Sequence, residues 1–340
     1  MCAVRIVVAR STGTHTLPTM EYASLAVTQL SPRTGQQYTI AFGDYTAVIT
    51  QQGAGLRRLT WQGNDVVVPF GADDVPTCMR GQLLVPFPNR IEGGEYTFEG
   101  QTYELPIDEH ERNNAIHGYG YRHFWTLERL TTSAVTLCWR TPNLAGYPFD
   151  VLVHVTYELD EDGLHVQVHA QNHGGEDAPW AAAIHPWVAN GGDAYGDAID
   201  ELNAQCTLEL PARTHVTINQ NLIPTGTEPV DGTAYDYRKP KALSAQPIDD
   251  AWTDLEHDAS GTVTAVFTRI DGIRVRITGD ESITSYQVCD ASGFPEPIHP
   301  CGVAIEPQTA YANAFNTGID LITIAPGESS TTNMLIGVVR

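Results

Sequence analysis

Three side chains in this 340-residue sequence stand where their surroundings change their chemistry. Glu306 lies in GVAIEPQT, at the end of an apolar run and just before a proline. A carboxylate there is partly desolvated, which raises its proton affinity and makes it a better base near neutral pH. His185 sits in AAAIHPW, after small apolar residues and before Pro186 and Trp187. His117 sits in NNAIHGYGYRHFW, before Gly118 and among aromatic residues. Imidazole has an ordinary pKa of about 6.5, so a histidine near such a glutamate is suited to two-way proton traffic. On spacing alone, each residue also reads blandly, as an acid at a strand end or a turn histidine satisfied by a backbone group.

The remaining histidines carry less pattern. His165 and His169 share strand parity and so one face. No third ligand stands at an expected spacing, so hydrogen-bonded strand histidines are expected rather than a metal pair. The six cysteines form no CxxC pair, and in a chain this long they read as reduced thiols rather than a disulfide framework.

These residues must be held by a scaffold, and the sequence pattern describes one. From Tyr38 onward, short alternating runs are separated by Gly, Pro, Asn and Asp. GEYTFEGQTYELP predicts a hairpin turning at Glu99-Gly100. FDVLVHVTYEL and GLHVQVHAQNH predict a pair joined through Asp160 to Gly163, and TVTAVFTRIDGIRVRITGD a pair turning at Asp271-Gly272. No amphipathic helix longer than about three turns is evident. The expectation is an antiparallel all-β protein, a large β-sandwich in a single domain over residues 38–340. Residues 1–37, rich in Ser, Thr and Pro, read as a loosely structured leader, with Met20 as an alternative start to Met1.

The bulk numbers narrow the partners. Against 41 acidic side chains stand only 19 basic ones, a formal charge of -22. That field repels phosphate backbones and anionic lipid, so nucleic acid and membrane surfaces are poor partners and a neutral small molecule a better one. No apolar run approaches the ~20 residues of a membrane helix, and the N-terminus lacks a signal-peptide pattern. A cytoplasmic protein is expected.

Taken in order, PFPNRIEGGEYTFEGQTYELP, NAIHGYGYRHFW, AIHPWVAN, DDAWTDL and GVAIEPQTAYANAFN resemble the aldose 1-epimerase (galactose mutarotase) family, over roughly residues 38–340. The resemblance is strongest to its broad bacterial branch. It implies the galactose mutarotase-like β-supersandwich and interconversion of the α and β anomers of a free aldohexose, with no metal or organic cofactor. By motif, Glu306 corresponds to the catalytic base, His185 to the catalytic acid and His117 to the second active-site histidine. Arg90, with Asn89 beside it, corresponds to the sugar-binding arginine. Asp249 corresponds to the aspartate that grips sugar hydroxyls, with Asp250 the alternative one register away. Trp187 or Trp252 would offer a flat apolar face to the sugar. A sugar-binding glutamine of some members has only Gln287 nearby. The chain departs from the better-studied mutarotases in reading His117-Gly118-Tyr119 instead of HGG, and His185-Pro186-Trp187-Val188 after the catalytic histidine. Family members occur as monomers and homodimers.

Three rival functions follow from the same residues. A hexose-6-phosphate 1-epimerase needs a basic rim, for which Arg80, Arg90, Arg112 and Arg122 are the nearby cations. A non-catalytic carbohydrate-binding or sensor protein on the same fold has no use for an acid–base pair. The third is a lyase or hydrolase on a similar sandwich, of which a retaining or inverting hydrolase needs a second carboxylate opposite Glu306, and only Asp249 is available.

Overall fold

The computed structural model describes residues 3–8, 21–26, 30–193, 198–243, 247–294 and 298–340. Met20 and Cys2 lie outside the described residues. Within the N-terminal leader, Ala3–Val8 pairs antiparallel with Glu21–Ala26. Thr34 is already buried, and the strand that opens the sandwich begins at Gln37.

Every paired strand is antiparallel, and the three expected hairpins form where turn residues punctuate the alternation. Phe98 pairs with Gln101 across Glu99-Gly100, both at positive φ, as a tight two-residue turn requires. Val151–Leu159 pairs with Leu164–Asn172, and Val263–Thr268 with Arg274–Gly279. Helix is confined, among the described residues, to Ala198–Asn203, Ala314–Thr317 and two short 3-10 turns. No described helix is long and apolar enough to cross a membrane.

Two broad sheets carry most of the chain. The first has nine strands, running from Thr126–Leu130 through Ala134–Arg140, Val151–Leu159, Leu164–Asn172, Ser329–Val338, Arg274–Gly279, Val263–Thr268 and Thr207–Glu209 to Lys241–Ala242. Its inner strands alternate in burial. Val151, Val153, Val155, Tyr157 and Leu159 point inward, while His154, Thr156 and Glu158 face outward. The outward histidines make local contacts: His165 Nε2 lies 2.8 Å from Asp160, and His169 Nδ1 lies 2.8 Å from Thr331 Oγ1.

The second sheet joins Pro224–Pro229, Ala212–Ile218, Asp249–Leu255, Ser285–Cys289, Gly302–Gln308, Ala183–Ile184 and Leu83–Leu84, with Trp187–Ala189 pairing off Gly302–Gln308. Its two central strands are buried at every position. Tyr286, Val288, Val303 and Ile305 enter one continuous apolar core together with inward residues of the first sheet. The alternate positions Gln287, Cys289, Ala304, Glu306 and Gln308 face away from that core. A four-stranded sheet, Gln37–Phe42 to Asn64–Asp65, closes one side, and the Val338 N–H donates to Tyr45 Oη at 2.8 Å. All five cysteines among the described residues are free thiols.

Burial between the sheets sets the stability of the fold. Phe267 is fully buried in the shared core. Phe267→Ala is expected to lower unfolding free energy by about 3–5 kcal/mol, read from the shift of a urea transition at unchanged m-value.

Candidate active site

The site lies on the face of the second sheet that turns away from the core. Strand register sets its floor. Asp249 pairs with Cys289, Cys289 with Ala304, and Ala304 with Trp187, which makes one row across four strands. The next row holds Gln287 opposite Glu306. Because side chains alternate, Asp249 faces this row and Asp250 faces away. Asp250 instead meets His215, whose Nε2 lies 2.9 Å from Asp250 Oδ1 and whose ring stacks on Tyr235. The cavity therefore takes Asp249 of the two aspartates.

A loop crossing from the other side brings the remaining groups. Arg90–Glu92 pairs with Asn114–Ile116, which places Asn89 and His117 side by side just beyond that ladder. Asn89 and His117 both take left-handed backbone conformations, at φ 54° and 61°. Such conformations are uncommon for non-glycine residues and concentrate at functional sites. Gly118 follows at φ 66°, and a Cβ there would stand 2.4 Å from the Val85 carbonyl oxygen. The small residue after His117 is thus a steric requirement of the loop's close approach to Val85.

The resulting cavity measures about 190 Å³ and is lined by Asn89, Arg90, His117, His185, Trp187, Asp249, Gln287 and Glu306, with Cys78, Met79, Ile116, Cys289 and Phe294 completing the wall. A larger depression of about 410 Å³ lies on the open face of the first sheet around Glu158, Asp160 and His165. It lacks converging buried ionisable groups, so the smaller cavity is the candidate site. Among the described residues no cluster of three or more His, Cys, Asp or Glu is arranged to hold a metal ion.

Two hydrogen-bond systems organise the cavity. In the first, Arg90 is clamped by Glu109: Nε donates to Oε2 at 2.9 Å and Nη2 to Oε1 at 3.0 Å. Arg90 Nη1 also donates to Asn89 Oδ1 at 3.3 Å. Asn89 Nδ2 donates to Gln287 Oε1 at 3.1 Å, and Gln287 Nε2 donates to Asp249 Oδ1 at 2.7 Å. Arg90 Nη2 stands 3.8 Å from Asp249 Oδ2. Burial works against the Arg90 charge, but Asp249 and Glu109 outweigh it and hold the proton more firmly.

The second system gathers three buried ionisable side chains. His185 Nε2 lies 3.3 Å from Glu306 Oε1, both side chains being almost fully buried. The His117 ring stands edge-on to His185 at 5.6 Å between centroids. The Asn89 backbone N–H donates to His117 Nδ1 at 3.1 Å, which makes Nδ1 the acceptor and leaves Nε2–H as the ring's donor. Burial pushes the Glu306 carboxyl well above its ordinary range, with the Asp249 charge adding to the effect. Burial drives His185 down to about 3, and pushes His117 well below 6.5 with help from His185 and Arg90. Trp187 stacks along His185 at 5.9 Å and 21°, and its Nε1 donates to the Cys78 carbonyl at 2.7 Å. Trp252 belongs to the core instead.

The structure brings Glu306, His185, His117, Arg90, Asn89, Asp249 and Trp187 together in one cavity. Sequence reasoning left Gln287 without a secure register and missed Glu109, Met79 and Phe294. The same-face pairing of Gln287 with Glu306 was the available signal, but it needs strand register to be seen. Both cavity histidines are expected to keep neutral-imidazole ¹⁵N signals from pH 7 down to pH 5, because their lowered proton affinity postpones charging to lower pH. A titration of either ring centred near 6.5 in long-range ¹H–¹⁵N spectra would contradict this.

Comparison with known proteins bears on the family and the fold. The aldose 1-epimerase family model matches residues 36–337. YihR, an uncharacterised protein of Escherichia coli K12, is 33% identical over 300 residues, covering 86% of this chain and 90% of its own. The galactose mutarotase of Rattus norvegicus is 33% identical over 168 residues, 48% of this chain and 46% of that protein. Among solved structures, an aldose epimerase homologue from C. elegans superposes with a TM-score of 0.77 at 21% identity, over 90% of this chain and 99% of that one. A putative aldose 1-epimerase from Escherichia coli K12 gives 0.75 at 20% identity, over 89% and 99%, and at such identities the likeness speaks for the fold. With the family model spanning nearly all of the sandwich, the chain belongs to the aldose 1-epimerase family, a family of isomerases.

Proposed function

We propose that the protein is a mutarotase for a free, neutral aldohexose such as glucose or galactose, with Glu306 as base and His185 as acid. The observation that carries this reading is the 3.3 Å contact between Glu306 Oε1 and His185 Nε2. The anomeric hydroxyl and the ring oxygen are bonded to the same carbon. A base for one and an acid for the other must therefore stand almost in contact. Hydrolases separate their two carboxyl groups by about 5–5.5 Å or more.

The pair holds one proton, and its ionisations belong to the pair. Burial of both groups keeps that proton on Glu306 in the empty cavity. Transfer across the contact leaves a carboxylate and an imidazolium. Glu306 Oε1 then takes the proton from the anomeric hydroxyl, whose oxygen electrons form the C1 carbonyl as the C1–ring-oxygen bond breaks. His185 Nε2 gives its proton to the departing ring oxygen. Rotation about C1–C2 and the reverse transfers close the ring on the other carbonyl face, with no net change in protons. His117, with Nε2–H as its donor, hydrogen-bonds the ring or anomeric oxygen. Arg90, Asn89 and Asp249 hold hydroxyls, and the Trp187 ring supplies an apolar wall.

The cavity's charge favours a neutral sugar over a phosphorylated one. Arg90 is its only cation among the described residues, and that charge is already engaged by Glu109 and Asp249. Arg112 is paired with Glu109 at 3.0 Å and Arg122 with Asp108 at 2.6 Å, while Arg80 donates to Thr77 and Pro69. None of these three lines the cavity. The volume of about 190 Å³ is below the roughly 300–1,000 Å³ of drug-sized sites, which suits a single sugar ring. The hydrolase reading lacks a free second carboxylate, since Asp249 is engaged by Gln287.

Polarimetry of freshly dissolved α-D-glucose and α-D-galactose tests the proposal. The wild type is expected to speed the approach to anomeric equilibrium, and Glu306→Gln and His185→Asn each to lose about 10²- to 10⁴-fold in kcat. No acceleration of either sugar by the wild type would overturn the neutral-aldohexose reading. The kcat/KM profile is also expected not to fall as pH drops from 7 to 5, because His185 takes a second proton only far below that range and Glu306 holds the pair's single proton above the usual carboxylate range. A loss of kcat/KM on acidification through pH 6.5 would contradict the proton assignment.

A further inference from the structure

Gln308 stands two residues beyond Glu306 on the same doubly buried strand, and therefore on the same face. It is fully buried. Its Nε2 donates to Glu306 Oε2 at 3.2 Å. The other carboxylate oxygen, Oε1, is the one that meets His185 Nε2 at 3.3 Å. The two oxygens are thus divided between a fixed donor and the reacting side. Gln308 does not line the cavity, so it does not touch a substrate there.

A neutral amide buried at this depth needs a reason. Gln308 Oε1 has no hydrogen-bond partner among the described residues, and neither does the buried Oγ of Ser285, its cross-strand register partner. An apolar residue of similar size would avoid that desolvation cost. The amide's one satisfied contact is the bond to Glu306, so that bond alone sets its orientation.

We propose that Gln308 is a positioning residue for the reaction: its Nε2–H, donated to Glu306 Oε2, fixes the rotation of the carboxylate so that Oε1 points at His185 and the sugar. Free rotation about the last side-chain torsion of a glutamate is broad. Without a donor on Oε2, the carboxylate turns away from the line joining it to His185 Nε2, and the ionised form loses a hydrogen bond that favours it over the protonated form. Gln308 acts on the rate through the working population of Glu306 and leaves the sugar's contacts with Arg90, Asn89 and Asp249 untouched.

This inference rests on the assignment of Glu306 as base, so its test reads the carboxyl group directly as well as turnover. Gln308→Leu keeps the volume and removes the donor. Gln308→Met keeps the length, also removes the donor and serves if the leucine variant folds poorly. Glu306 is followed by ¹³C NMR of glutamate labelled at the carboxyl carbon, its signal assigned by its loss in Glu306→Gln. Both Gln308 variants are expected to raise the Glu306 titration midpoint by about one pH unit or more. They are also expected to lower kcat about 10- to 100-fold, with KM for the sugar changed less than about threefold. A Glu306 midpoint unchanged in a folded variant overturns the proposal, and so does a loss confined to KM. If the midpoint moves while the wild type turns over neither glucose nor galactose, the positioning role stands and the substrate assignment fails.

Discussion

The site depends on one strand that is buried on both faces. Gly302–Gln308 puts Val303 and Ile305 into the core and turns Ala304, Glu306 and Gln308 to the opposite face, where Glu306 enters the cavity. An isolated carboxylate is costly to remove from water, and a protein offsets the cost by hydrogen bonds, by a charged partner or by holding the group protonated. Two of these operate at Glu306: Gln308 donates to one oxygen, and burial, with the neutral His185 against the other oxygen, raises the proton affinity of the group. The desolvation that destabilises the ion also strengthens it as a base, which the proposed reaction uses. Stability and reactivity are opposed at this position, and the surrounding sandwich, with its continuous apolar core, is what sustains the strain.

The same trade recurs around the cavity. Arg90 is buried, yet it remains charged because Glu109 grips it with two hydrogen bonds. That clamp fixes the guanidinium and leaves little free positive charge for an anion. Asn89 links the clamp to Gln287 and then to Asp249, so polar groups contributed by separate strands are joined in one hydrogen-bonded chain. Such linkage favours recognition of hydroxyl groups, which need donors and acceptors in fixed positions more than they need net charge. The left-handed backbone at Asn89 and His117 is part of this arrangement, since it turns the Asn89 N–H onto His117 Nδ1 and so selects the ring's tautomer.

Much of the scaffold is legible in the sequence because its signals are local. Alternation in FDVLVHVTYEL becomes the inward and outward faces of one strand, and the turn residues at Glu99-Gly100 and Asp271-Gly272 fall where strands reverse. The chemistry-bearing residues were also nominated in advance, by residue type and by five ordered motifs. The tertiary structure adds what local signals cannot carry. The choice of Asp249 over Asp250 is a question of strand parity across several neighbours, and it is answered by the pairing of Asp249 with Cys289. Glu109 escaped notice because its partner Arg90 lies in a different hairpin, and an acid in a polar loop looks like a solvated one.

The sequence by itself determined the all-β class, the turn positions, the acidic balance and the identity of the groups able to move protons, because each follows from residue type and short-range periodicity. Only the tertiary structure decided that Glu306 and His185 meet at 3.3 Å, that Arg90 is already neutralised, and that Gln308 stands behind the carboxylate. Those are long-range matters: they depend on strand register and burial, and a one-residue slip would send each of these side chains to the opposite face of its sheet.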